Sequence, residues 1–166
     1  MTARVAAALV LIAACAPARA ADIAGTWLNE DRDGIVRIDD CGALRGTATN
    51  GTLCGVVVWI RDAVDPATGL PPVDRRNADP ALRDRPILGL EVVSDMRPSS
   101  TPGRWDGRIY NIDDGKSYGG NLIAQGDTLR VQGCVMLICQ GETWTRAPLP
   151  AGAAPAGRTP AAQRAR

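Results

Sequence analysis

Between Gly25 and Arg146 the chain alternates apolar and polar side chains in short runs, each closed by a turn signal. A period-two repeat interrupted about every ten to fifteen residues reads as strands joined by hairpins, because successive side chains of a strand face opposite sides. Residues 25–28 open the series and Asp31-Arg32-Asp33-Gly34 turns it. Residues 35–41 follow, with Val36 and Ile38 on one face and Arg37 and Asp39 on the other. A glycine-rich excursion through Gly42, Gly46 and Gly51 leads to residues 53–60, whose Val56-Val57-Val58-Trp59 is too apolar to leave either face wet. Later runs cover residues 87–93, 104–112, 117–124, 128–134 and 142–146, and Asp113-Asp114-Gly115-Lys116 is a strong hairpin turn. Residues 61–85 are irregular and rich in Pro and Asp, with one helical turn at 80–83.

The runs amount to about eight strands and no amphipathic helix of useful length. Sequential hairpins in that number predict an all-β, eight-stranded antiparallel up-and-down barrel with one long loop, since closure removes exposed strand edges. A β-sandwich is the alternative. Aromatics are 4% of the chain and Phe is absent, so Val, Ile and Leu must supply most of the core.

Cysteine usage places the domain outside the cytosol. Apart from Cys15 there are Cys41, Cys54, Cys134 and Cys139, an even set that allows three pairings. The meander favours Cys41–Cys54 and Cys134–Cys139, because each pair flanks a turn between sequential strands. The spacing lacks the short paired knuckles of a four-thiolate zinc site, so no metal is expected. Pinning the second pair would hold together the apolar turn Val135-Met136-Leu137-Ile138.

The N-terminus carries its own address. Arg4, the apolar stretch 5–14 and the small-x-small site Ala18-Arg19-Ala20 form a signal peptide over residues 1–20. The apolar stretch is far shorter than the roughly 20 residues a membrane span needs. Ile12-Ala13-Ala14-Cys15 resembles a lipoprotein box, so a lipid anchor at Cys15 is the alternative to free release into the periplasm. Residues 147–166 are almost wholly Ala, Pro, Gly and Arg, a composition that cannot bury a face and reads as a disordered tail.

Charge and composition then exclude functions. Without the five arginines of leader and tail (Arg4, Arg19, Arg158, Arg164, Arg166), the domain over 21–146 keeps 14 basic and 18 acidic residues, a net charge of −4. No basic stripe suits a phosphate backbone, and nucleic acid is not an expected partner. Histidine is absent, which removes Ser-His-Asp and Cys-His catalysis. The carboxylate pairs Asp39-Asp40, Asp62 with Asp65, and Asp113-Asp114 sit in turns, where Asp is favoured for bonding its own backbone. No catalytic residue, cofactor or calcium loop is expected.

A string of landmarks runs in order along the chain. It comprises Gly25-Thr26-Trp27, Cys41-Gly42 with Leu53-Cys54-Gly55, and Asp74-Arg75-Arg76-Asn77 followed by Leu82-Arg83-Asp84-Arg85-Pro86-Ile87-Leu88-Gly89-Leu90. Trp105-Asp106-Gly107-Arg108-Ile109-Tyr110-Asn111, Asp114-Gly115-Lys116-Ser117-Tyr118 and Glu142-Thr143-Trp144-Thr145-Arg146 complete it. Together they resemble the bacterial domain-of-unknown-function family 2147 across nearly all of residues 23–146. The resemblance implies an exported, lipocalin-like barrel without an established activity. It also implies that Trp27 and Arg146 stack across the closed end, a structural role. The loop over 45–52 departs from the family by its length.

Five residues are candidates for binding a small apolar or amphipathic ligand: Trp59, Asn77, Arg85, Tyr110 and Tyr118. The aromatics are the large rings on strands, of which a hollow barrel must expose some. Asn77 and Arg85 lie in the long segment, which reads either as a ligand gate or as a salt-bridged flap over one barrel mouth. A binding module is thus expected, monomeric and not an enzyme. A structural envelope protein with a filled barrel is the alternative. Export is tested by intact mass of protein from its native host: an N-terminus at Ala21 is expected, diacylated Cys15 would establish the anchor, and a retained Met1 would contradict both.

Overall fold

The computed structural model describes residues 23–151 and 153. The signal peptide, Cys15 and most of the tail lie outside those residues. Eight strands follow in chain order: β1 (Gly25–Leu28), β2 (Gly34–Asp40), β3 (Leu53–Ile60), β4 (Glu91–Pro98), β5 (Arg104–Asn111), β6 (Lys116–Gln125), β7 (Thr128–Val135) and β8 (Ile138–Arg146). Each pairs antiparallel with the next, and β8 returns to β1, which closes the barrel. The up-and-down barrel is therefore the fold, and the sandwich is not.

Two strand boundaries differ from the sequence expectation. Residues 87–90 precede β4 instead of opening it, because Gly89 turns the chain at φ 88 and the strand runs on to Pro98 opposite Trp105. Asp95, at φ 53, forms a bulge there, so alternation fades where the strand continues. β8 likewise starts at Ile138, because the turn is only Met136-Leu137 and Val135 pairs with Ile138. The excursion after β2 also holds a short helix, α1 (Cys41–Arg45). Asp40 caps it, accepting from Gly42 and Ala43 at 2.8 and 3.3 Å, and its second oxygen accepts from Asn50 and Gly51. Burial works against the charged form, but those four backbone donors outweigh it and hold the Asp40 carboxyl below the ordinary range.

The short helix explains why β3 has no wet face. Val57 points into the barrel core, while Val56 and Val58 join Ile35, Cys41, Leu44 and Cys54 in a second cluster under α1. The Cys41–Cys54 disulfide fastens the helix to β3, with α-carbons 4.8 Å apart, and Arg45 reaches Glu91 of β4 at 2.7 Å. Cys134 and Cys139 face each other in the β7–β8 ladder and are also bonded. Both expected pairings are formed.

Closure depends on β1, the shortest strand. Trp27 is fully buried and donates its indole N–H to the Ile23 carbonyl at 2.9 Å. The Arg146 guanidinium lies 4.2 Å above the same ring, as the family resemblance implied, and donates to the Ala24 carbonyl at 3.1 Å. Such stacking contributes roughly 0.5–2 kcal/mol. The ladder runs one residue past Arg146, since the Ala147 N–H donates to the Thr26 carbonyl at 3.1 Å and the Thr26 hydroxyl to the Ala147 carbonyl at 2.6 Å. Ala147, the first residue of the expected tail, is thus held in the ladder.

Gly25 makes the arrangement possible. Its φ is +132, and a Cβ there would lie 2.7 Å from the Arg146 Nη1. Gly25→Ala is expected to cost about 1–3 kcal/mol through backbone strain and displacement of the guanidinium. Urea unfolding measures this, and an unchanged midpoint would contradict the role of the stack in closure.

Candidate functional site

Up-and-down connectivity sends four connections to one end of the barrel: β1–β2, the long 61–90 segment, β5–β6 and β7–β8. Residues from all four surround a cavity of about 940 Å³. Its wall is aliphatic, with Val36, Val57, Val92, Ile109 and Val131 beside Trp144. The other half of the barrel is filled: Trp27, Met96, Trp105, Leu122 and Leu129 are buried there and none lines the cavity. Filled or hollow thus has a divided answer, with a packed base and an open upper chamber.

The long segment is fastened to the chamber's edge by a buried carboxylate. Asp74 has 0% exposure, and its partners come from three places. Arg85 donates to it through Nε at 2.8 Å and ion-pairs through Nη2 at 2.7 Å. The Tyr110 hydroxyl of β5 donates at 2.7 Å, and the Asn77 amide donates to both the carboxylate and Tyr110, at 2.8 and 2.9 Å. Arg85 also covers the Tyr110 ring, 5.1 Å from its centre. Burial and the bond to Asp74 raise the Tyr110 pKa, which keeps the phenol a neutral donor.

Around this centre the segment is stitched twice more. Its neck closes where Asp74 N–H donates to the Arg85 carbonyl at 2.9 Å and Val73 bridges Pro86. Its tip lies against the β5–β6 turn, where Ala78 N–H donates to the Gly115 carbonyl and the Arg76 guanidinium to the Asp113 carbonyl. A Cβ at Gly115 would lie 1.8 Å from the Arg76 carbonyl oxygen, so only glycine admits this approach.

Three of the five candidate residues therefore meet in one network: Asn77, Arg85 and Tyr110. Tyr110 and Tyr118 line the cavity, and the Tyr118 hydroxyl bonds the Asp114 carboxylate. That bond, with some burial, raises the Tyr118 pKa. Asn77 and Arg85 do not line the chamber, and their polar atoms serve Asp74. Trp59 packs with the cluster under α1, also away from the chamber. Sequence reasoning passed over Asp74 as one acid among several; its place just ahead of Arg75-Arg76 and of Arg83 and Arg85 in an irregular segment was the available signal. It also weighed Asp31, Asp33, Asp62, Asp113 and Asp114 as calcium or catalytic carboxylates and settled on turn formers, although all five line the mouth.

The arrangement holds two neutral phenols and, among the described residues, no nucleophile activated by a base. Among the described residues the one group of thiol and carboxylate ligands, Cys41, Cys54 and Asp95, has its sulfurs joined in a disulfide. What the chamber offers is shape, an aliphatic wall and an acidic mouth. Removing the buried partner tests the network. Asp74→Ala leaves Arg85 and Tyr110 without their acceptor and should cost on the order of 3–5 kcal/mol. Hydrogen exchange should rise first across residues 72–87, and unchanged protection there would contradict the assignment.

Known proteins give two points of comparison. A protein of solved structure, described as "Protein HP1028 from the human pathogen Helicobacter pylori belongs to the lipocalin family", superposes with a TM-score of 0.59 at 18% identity, over 76% of this chain and 83% of that one. The likeness shows the barrel fold. No curated protein matches the chain. Residues 25–146, from the first strand to the last, match the family described as "Uncharacterized protein conserved in bacteria (DUF2147)", and the chain belongs to that family.

Proposed function

We propose that this chain is a binding module for one small apolar or amphipathic molecule, held in the upper chamber of the barrel, and that it works in the periplasm after removal of residues 1–20. The observation that carries the reading is the chamber itself: about 940 Å³, walled by valine and isoleucine and reached through a mouth of four connections. Ligand pockets span roughly 300–1,000 Å³ and are mostly apolar with a few polar groups that orient the guest. Tyr110 and Tyr118 are the ligand-facing rings in this reading, their hydroxyls being held by Asp74 and Asp114. Asn77 and Arg85 position Tyr110 through Asp74, and Trp59 serves packing under α1.

Location is supported by the two disulfides, which persist in oxidising compartments. No helix among the described residues is long and apolar enough to cross a membrane. A lipid anchor at Cys15 would place the same barrel at a membrane surface. The lipocalin-family fold of the structural neighbour favours binding over catalysis.

The test uses N-phenyl-1-naphthylamine, a neutral apolar fluorophore. One equivalent should bind with an increase in emission, and at about 100 times its Kd it should stabilise the fold by about 2.7 kcal/mol. Val131→Phe, which places bulk on the chamber wall, should weaken binding while the far-ultraviolet spectrum stays that of a β-barrel. Absence of saturable binding by the wild type would overturn the reading.

A further inference from the structure

We infer that the chamber selects amphiphiles with a cationic head, such as an alkylammonium group, and discriminates against anionic ones of the same length. This rests on the binding reading above and adds the sign of the guest. Six carboxylates line the chamber: Asp31, Asp33, Asp62, Asp113, Asp114 and Glu142. No lysine or arginine lines it. The whole chain has 19 basic and 18 acidic residues, so overall charge does not account for the segregation.

Ion pairing sharpens the contrast. Elsewhere in the described residues most carboxylates are matched: Asp39 with Arg37, Glu91 and Asp95 with Arg45, Asp65 with Arg75, Asp74 with Arg85, Asp106 with Arg104, and Asp127 with Arg146, while Glu30, Asp40, Asp79 and Asp84 are not. None of the six mouth carboxylates is in such a pair. Two guanidiniums reach the same rim through backbone carbonyls, pair with none of the six acids and offset only part of their charge. Arg61 donates to those of Asp31 and Arg32, and Arg76 to that of Asp113. The side-chain bonds of the mouth acids come from neutral donors, which leave their charge in place: Asn29 to Asp33, Tyr118 to Asp114 and Trp144 to Glu142.

Position gives the charge its use. The acids belong to the β1–β2 turn, the start of the 61–90 segment, the β5–β6 turn and β8, and they form an arc around the mouth. The β7–β8 tip completes the rim with an apolar lip, where Met136 and Leu137 are 95% and 98% exposed and Val135, Met136 and Ile138 line the chamber. Beyond both lies the aliphatic wall. A like-signed rim above a low-dielectric chamber focuses its field on the entrance. An ammonium at the arc with an alkyl chain against Val57 and Val131 satisfies both surfaces, and the Trp144 and Tyr118 rings add faces that attract cations. A carboxylate head would bring a seventh negative charge into the same ring.

Calorimetry with three probes of equal chain length, used below their aggregation concentrations, decides the matter on the full chain as exported. Decyltrimethylammonium should bind about tenfold more tightly than decanol at low ionic strength, and decanoate more weakly than decanol. The spread should shrink in about 0.5 M salt, where the Debye length is only a few ångströms. The double variant Asp31→Asn/Asp62→Asn changes two mouth acids with no side-chain bond to lose; it should narrow the ammonium–decanol gap and leave decanol affinity unchanged. Equal binding of ammonium and decanol, or tighter binding of decanoate, would overturn the charge inference and leave the binding reading standing. Failure of all three probes and of N-phenyl-1-naphthylamine would overturn both.

Discussion

The whole molecule depends on one short seam. β1 meets β8 through only two register pairs, Trp27 with Arg146 and Leu28 with Thr145, whereas the β7–β8 ladder has eight. Opening that seam would turn a closed barrel into a sheet with two free edges and a chamber with a missing wall. The seam is therefore reinforced from outside the ladder. The indole of Trp27 is pinned to Ile23, Arg146 spans it to Ala24, and Thr26 holds Ala147 by two hydrogen bonds. Glycine at position 25 leaves room for the guanidinium, so sequence, closure and cavity are linked through a missing Cβ.

Stability and binding are separated along the barrel axis. The base holds large side chains, Trp27, Trp105, Met96, Leu122 and Leu129, at close packing. The upper chamber is walled by smaller valines whose methyls leave a space that nothing in the described chain fills. Forgoing contacts there weakens the fold, since a cavity costs its lining the dispersion it would otherwise gain. The two disulfides, the cluster under α1 and the Asp74 network compensate at the periphery. Asp74 is the most demanding of these, because a carboxylate with no solvent needs every partner it has. Its reward is a long segment held as a fixed wall beside the mouth.

Much of this could be read in the chain. Alternation and turn residues located most strands, the unbroken apolar run 56–59 announced a second covered face, and meander order selected both disulfides. The Trp27–Arg146 stack followed from the family resemblance. What escaped has physical reasons. The start of β8 was hidden because Val135 and Ile138 continue a ladder that looks like a loop, with exposed apolar side chains. The course of β4 was obscured by the bulge at Asp95 and the turn at Gly89. Asp74 and the mouth acids were invisible as a group, since only the closed barrel brings residues 31, 62, 113 and 142 to one rim. Trp59 was chosen for being aromatic; alternation from Val57 would turn it inward, but the register shift between Ile35 and Val36 sets it opposite Ile35 on the outer face.

The claim on which the rest turns is that the barrel is hollow above and packed below. Methyl-labelled valine and leucine make this visible directly, through nuclear Overhauser contacts between bound decanol and the protein. Contacts to the methyls of Val36, Val57 and Val131, with none to Leu122, Leu129 or the outward-facing Val58, are the expected result. Contacts confined to Val58 and its neighbours under α1, or spread over Leu122 and Leu129 as well, would contradict a preformed upper chamber.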